Sequence, residues 1–137
     1  MGGGQRKLGH LLELAFQVLC SNSISCKADI GYNTVFYHHG LGCVVHDDTV
    51  IGDNCKIFAN VTIGNKWSDG QNNSGPPTIG NNVMIGAGAV VLGEIHIGNN
   101  CIIGANSVVL KDIPDNSIVA GVPAHEIQER DRLTNER

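Results

Sequence analysis

The chain has 137 residues, enough for one domain, with 42% hydrophobic residues and a net charge of −4. That balance excludes wholesale disorder, a general nucleic-acid surface and membrane insertion, since no apolar run is long enough to span a bilayer. Aromatics are only 4% while glycines number 18, so the core must be filled by Ile and Val and the chain must turn often.

In residues 6–20, Leu8, Leu11, Leu12, Ala15, Phe16 and Leu19 fall at helical spacing. This predicts a short helix that covers whatever follows. His10, Glu13 and Gln17 interrupt the apolar stretch and no A-x-A site follows, so it does not read as an export signal. Arg6 stands where a myristoylation site needs Ser or Thr. The cysteines (Cys20, Cys26, Cys43, Cys55, Cys101) are odd in number and form no C-x-x-C. Reduced thiols in a cytoplasmic protein are expected, with no disulfide framework and no metal.

From Val45 every sixth residue is branched and apolar: Val45, Ile51, Ile57, Ile63, and again Ile79, Ile85, Val91, Ile97, Ile103, Val109. Six of these ten are followed by Gly. The fifth place of each hexad is mostly small or aliphatic, as in Cys55, Val83 and Ala89. A period of six fits neither an amphipathic helix nor simple strand alternation. It fits a short strand plus a tight corner, repeated so that each coil buries its branched residues only against its neighbours. An earlier frame, Ile24, Ile30 and Phe36, is separated from Val45 by Tyr37-His38-His39-Gly40-Leu41-Gly42-Cys43. A second break, residues 65–78, is polar and rich in Gly, Asn and Pro. It is expected as a loop extruded from one corner, with Trp67 as an apolar anchor on a neighbouring subunit. Pro114, Pro123 and the charged residues 126–137 stop the repeat, and Pro123 is placed to open a short C-terminal helix. The expected division is a helical cap over 1–22, a coil domain over 23–121 and a tail over 122–137.

The [Ile/Val]-Gly-x4 pattern resembles the hexapeptide repeat of left-handed parallel β-helices, which gives an all-β fold class with short helices at both ends. His38-His39-Gly40-Leu41-Gly42-Cys43-Val44-Val45-His46 and Val50-Ile51-Gly52-Asp53-Asn54 resemble serine acetyltransferases and related bacterial polysaccharide acetyltransferases. Ile85-Gly86-Ala87-Gly88-Ala89, Ile103-Gly104-Ala105-Asn106-Ser107 and Ala120-Gly121-Val122-Pro123-Ala124 match the same family. The resemblance implies an acyltransferase that works as a homotrimer or a dimer of trimers, with acetyl-CoA between neighbouring prisms. It places His39 as the base that deprotonates an acceptor hydroxyl. An imidazole, mostly neutral at pH 7, suits that task. It places Ala87 and Ala105 beside the pantetheine arm and Lys111 at the nucleotide end.

The matching positions also depart from serine acetyltransferases. His38 replaces an Asp, Pro76-Pro77-Thr78 replaces a second His, and about twenty residues stand ahead of the repeat where that family has a long helical domain. His38, Trp67 and Asp69 are the candidates for acceptor contact, and the departures favour a sugar hydroxyl in polysaccharide or glycan biosynthesis. Serine O-acetylation, a catalytically idle trimeric scaffold and a zinc-bearing β-helix using His38, His39 and His46 are the alternatives. His46 and His96 are read as corner and surface residues, and Cys43 as packing.

Overall fold

The computed structural model describes residues 3–68, 71–72 and 74–127. After the α-helix Gly3–Cys20 (α1), the chain winds through two- and three-residue strands into a three-sided parallel prism. One strand per coil lies on each face. The first face stacks Ser23–Ile24, Val44–Val45, Thr62–Gly64, Val90–Leu92 and Val108–Val109. The second face stacks Asp29–Ile30, Val50–Ile51, Thr78–Ile79 and His96–Ile97. The third stacks Val35–Phe36, Lys56–Ile57, Met84–Ile85, Ile102–Ile103 and Ile118–Ala120.

The hexad residues point inward and meet their counterparts one coil away. Ile30 pairs with Ile51, Ile51 with Ile79 and Ile79 with Ile97. Phe36, Ile57, Ile85, Ile103 and Val119 form the equivalent column on the third face. Each strand is too short to stand alone, so burial of this branched column against the next coil holds the fold. At the fifth places, Cys43, Cys55 and Cys101 point inward at the corners. Their thiols reach the carbonyl oxygens of Phe58, Gly80 and Pro114 at 3.1–3.3 Å. Burial raises all three thiol pKa values.

The corner between the second and third faces is a ladder. The Oδ1 atoms of Asp53, Asn81, Asn99 and Asp115 accept from the backbone N–H groups of Tyr32, Asp53, Asn81 and Asn99, at 2.7–2.8 Å. Each side chain therefore satisfies a corner donor of the preceding coil. Gly52 precedes the first of these rungs. A Cβ there would lie 2.6 Å from the carbonyl oxygen of Gly80, which explains why the small residue follows the branched one.

The segment after Ile63, expected as a loop extruded from a corner, contains a hairpin, Trp67–Ser68 antiparallel to Gln71–Asn72. Two expectations change. Pro123 opens no helix: residues 121–124 turn, and His125–Glu126 returns antiparallel on Ile118–Ala120. The last coil has an open edge, and the returning strand supplies partners for it, with the Ile127 N–H donating to Ile118 O. Residues 128–137 lie outside the described ones. Finally, α1 covers the first coil incompletely. Leu8, Leu11, Leu12, Phe16 and Leu19 remain exposed, and Ile24, Ile30 and Phe36 are only half-buried. Among the described residues no helix is long and apolar enough to cross a membrane.

Candidate active site

The register break at residues 37–43 lies at the corner between the third and first faces. Tyr37–Gly40 makes a tight turn, and three successive residues adopt left-handed backbone: His38 (φ 54°), His39 (φ 59°) and Gly40 (φ 68°). For the two histidines this conformation costs roughly 1–2 kcal/mol each. The surroundings hold it. The Asn22 side-chain amide donates to His39 O at 3.0 Å, and the N–H groups of Leu41 and Cys43 donate to His38 O and Gly40 O. Gly40 is buried with φ at 68°, and a Cβ there would lie 2.8 Å from Ile24 Cδ1, so a side chain at that point would strain the backbone and push Ile24 aside. The Tyr37 ring stacks on Phe58 with centroids 4.8 Å apart.

His38 and His39 are both exposed, yet they differ in what they face. His39 lines a cavity of about 580 Å³ between α1 and the open end of the first coil, and His38 does not. The walls are largely apolar: Leu12, Phe16, Ile24, Ala28, Ile30 and Phe36. The left-handed turn also means that the two histidines are not alternating residues of an extended strand. The cavity distinguishes them, and strand alternation does not.

Ala87 and Ala105 share the corner of His39. Leu41 O, Ala59 O and Ala87 O accept from the Asn60, Gly88 and Asn106 N–H groups, so Leu41, Ala59, Ala87 and Ala105 form one column. Ala87 and Ala105 are exposed, which leaves a lane of small side chains running away from His39. Lys111 is elsewhere. It sits at the corner between the first and second faces, in a recess of about 410 Å³ with Leu110, Val122, Pro123 and His125. Trp67 is exposed on the hairpin that leaves that same corner. The predicted residues thus fall on opposite edges of the first face. Asp69 lies outside the described residues.

His46 also belongs to the hairpin corner, away from His38 and His39. The Asp48 N–H donates to its Nδ1 at 3.2 Å, and the Asn65 amide lies 3.2 Å from its Nε2. It ties the corner to the base of the hairpin. Among the described residues no three His, Cys, Asp or Glu side chains gather as a metal site. Glu13 was not singled out from the sequence, yet it lines the His39 cavity. Its one signal is that it interrupts the apolar spacing of α1.

Two family models match the chain: the bacterial transferase hexapeptide (six repeats) over residues 76–111 and the hexapeptide repeat of succinyl-transferase over 30–65. Together they cover just over half of it. The chain belongs to the hexapeptide-repeat transferases. As in other hexapeptide-repeat transferases, the prism is the left-handed parallel β-helix that the repeat implies.

Among curated relatives, serine acetyltransferase of Synechococcus elongatus is 42% identical over 122 residues, which are 89% of this chain and 47% of that protein. The Synechocystis enzyme of the same name is 49% identical over 96 residues, 70% of this chain and 37% of that protein. Among solved structures, serine acetyltransferase from Neisseria gonorrhoeae superimposes with a TM-score of 0.81 at 37% identity, covering 91% of this chain and 47% of that one. A serine acetyltransferase in complex with CoA gives 0.78 at 35% identity, covering 90% and 49%. This hexapeptide-repeat chain spans about half the length of these relatives.

Proposed function

We propose that this chain is an acetyl-CoA-dependent O-acetyltransferase with His39 as general base and serine as acceptor. The observation that carries the proposal is the placement of His39: a strained, hydrogen-bonded corner sets this residue on the wall of a cavity of substrate size, at the head of a lane of small side chains. Neutral His39 accepts the hydroxyl proton as the acceptor oxygen attacks the thioester carbonyl. A carbon–oxygen bond forms, the carbon–sulfur bond breaks, and the departing CoA thiolate takes up a proton. Backbone N–H groups of the corner are available to the developing oxyanion. The exposed lane of Ala87 and Ala105 fits a close-lying pantetheine arm, and Lys111 offers positive charge to a phosphate, with the His125 imidazole in the same recess.

Serine replaces the carbohydrate acceptor expected from the sequence. The relatives cited above are serine acetyltransferases, and none carries a glycan in its name. The cavity wall at His39 is largely apolar, whereas a sugar needs a dense array of hydrogen-bonding groups. The two edges of the first face carry separate halves of the predicted site. A homotrimer that sets the hairpin corner of one chain against the His39 corner of the next would join them. The free thiols suit a reducing compartment such as the cytoplasm.

Release of CoA thiol, followed with serine and with a panel of sugars, tests the reading. His39→Ala should lower kcat by about 10²–10⁴ and leave the KM for acetyl-CoA nearly unchanged. His38→Ala should do less. Full turnover by the His39 variant, or an inactive His38 variant beside an active His39 variant, would overturn the assignment of the base.

A further inference from the structure

The left-handed residues His38, His39 and Gly40 carry three successive carbonyl groups, and these are fastened in two different ways. His38 O and Gly40 O accept from the Leu41 and Cys43 N–H groups, each three residues on, at 3.1 and 2.9 Å. By the same pattern His39 O would take the Gly42 N–H. That donor goes to Ser21 O instead, at 2.8 Å. Among the described residues the partner left to His39 O is the Asn22 side chain, whose Nδ2 donates at 3.0 Å. A carbonyl oxygen only accepts, so the amide has to turn its nitrogen toward it. The peptide held in this way lies between His39 and Gly40. Glycine accepts either sign of φ, so this peptide turns over more easily than the one before it.

The His39 side chain is exposed, and among the described residues its backbone oxygen, not its ring, carries the hydrogen bond. The direction of the ring is therefore inherited from the backbone. Asn22 is half-buried and lines the same cavity as His39. Its Nδ2 would stand 3.4 Å from a Cβ at Gly40, so the amide covers the peptide that it binds. Asn22 comes two residues after the end of α1, directly past Ser21, whose left-handed backbone (φ 50°) turns the chain onto the first coil. We propose that Asn22 is a positioning residue for the base: its amide pins the His39–Gly40 peptide and so sets the direction of the His39 imidazole from the segment that joins α1 to the prism. This rests on the assignment of His39 as the base. Because Asn22 bonds to a carbonyl and not to the ring, it governs where the imidazole stands and not how basic it is.

Asn22→Leu keeps the shape of the side chain and removes its donor. With folded chains counted by the stoichiometry of CoA binding in calorimetry, kcat with serine should fall about 10–100-fold. The KM for acetyl-CoA should hold, and the acidic limb of kcat/KM should stay at the same pH. Asn22→Gln, which returns an amide donor on a longer stem, should recover part of the loss. A measurement on the unaltered chain stands even where the Leu variant does not fold: by NMR, the Asn22 side-chain N–H protons should exchange with water more slowly than those of an exposed asparagine. In a folded Leu variant the His39 carbon shifts should move away from left-handed values. Wild-type kcat per CoA site in the Leu variant, equal losses in the Leu and Gln variants, a displaced acidic limb or an unprotected Asn22 amide would overturn the proposal. No acetyl transfer by the unaltered chain, with the amide protected, would instead count against the proposed activity.

Discussion

The first coil and the coils above it use the same inward positions and reach different ends. Ile57, Ile85 and Ile103 are at most 1% exposed, between neighbours on both sides. Phe36 stands in that column and Ile30 in the equivalent one on the second face, but each has a coil on one side only, and α1 leaves them half-buried. The closed coils are where the repeat is most regular. The open coil is where the first register break falls, where two histidines take left-handed backbone and where the His39 cavity lies. Stability and chemistry are thus divided along the prism axis: the repeat supplies the first, and its interruption exposes groups for the second.

The largest test of that division is in the core. Ile57→Ala or Ile85→Ala should cost about 2–5 kcal/mol in urea unfolding, because the closed coils cannot collapse around the lost methyl groups. Ile30→Ala should cost clearly less. Equal losses would mean that the first coil is as tightly closed as the rest in solution. Next is the corner. Gly52→Ala pushes a methyl group against the Gly80 carbonyl and should cost about 1–3 kcal/mol. Gly64→Ala, whose nearest atom would be Leu92 Cδ2 at 4.0 Å, should stay within about 0.5 kcal/mol. The smallest effect concerns thiols. Exposed Cys26 and half-buried Cys20 should react with a disulfide reagent in the folded chain, and Cys43, Cys55 and Cys101 only on unfolding. Burial raises the folded pKa of these three, so the stability linked to them is complete below the ordinary thiol range, near pH 8.5. It falls as pH rises through the raised values. A flat stability profile up to pH 10 would contradict their burial as neutral thiols.

The prism was legible because burial writes directly into sequence: an inward position tolerates only branched apolar residues, and the coil length fixes their spacing. The hairpin around Trp67 was not, since strands of two residues in a polar segment leave no alternation to detect. Pro123 misled because a residue with fixed φ and no N–H suits a turn as well as a first helical position. His39 was legible through the resemblance and the broken register. Glu13 was not, because it lies 26 residues from His39 and reaches the cavity only through the docking of α1. The split of Lys111 and Trp67 from His39 across the first face was equally hidden, since a period of six does not say which corner a turn occupies.

The ladder at the second corner has a direction: each coil donates a backbone N–H to a side-chain oxygen of the coil after it. Every rung therefore looks alike to its neighbours, and the register between Ile85 and Ile103 is 18 residues. Excising residues 86–103 would join Ile85 to Gly104 in the existing frame and offer the Asn81 N–H to Asp115 in place of Asn99. The prism would shorten by one strand spacing, roughly 4.8 Å, with the His39 end untouched. An excision of 17 or 19 residues would instead turn every later inward residue to the outside. The height of this molecule is quantised, and gene-level duplication or loss of whole turns can change the reach of the Ala lane without redesigning a single corner.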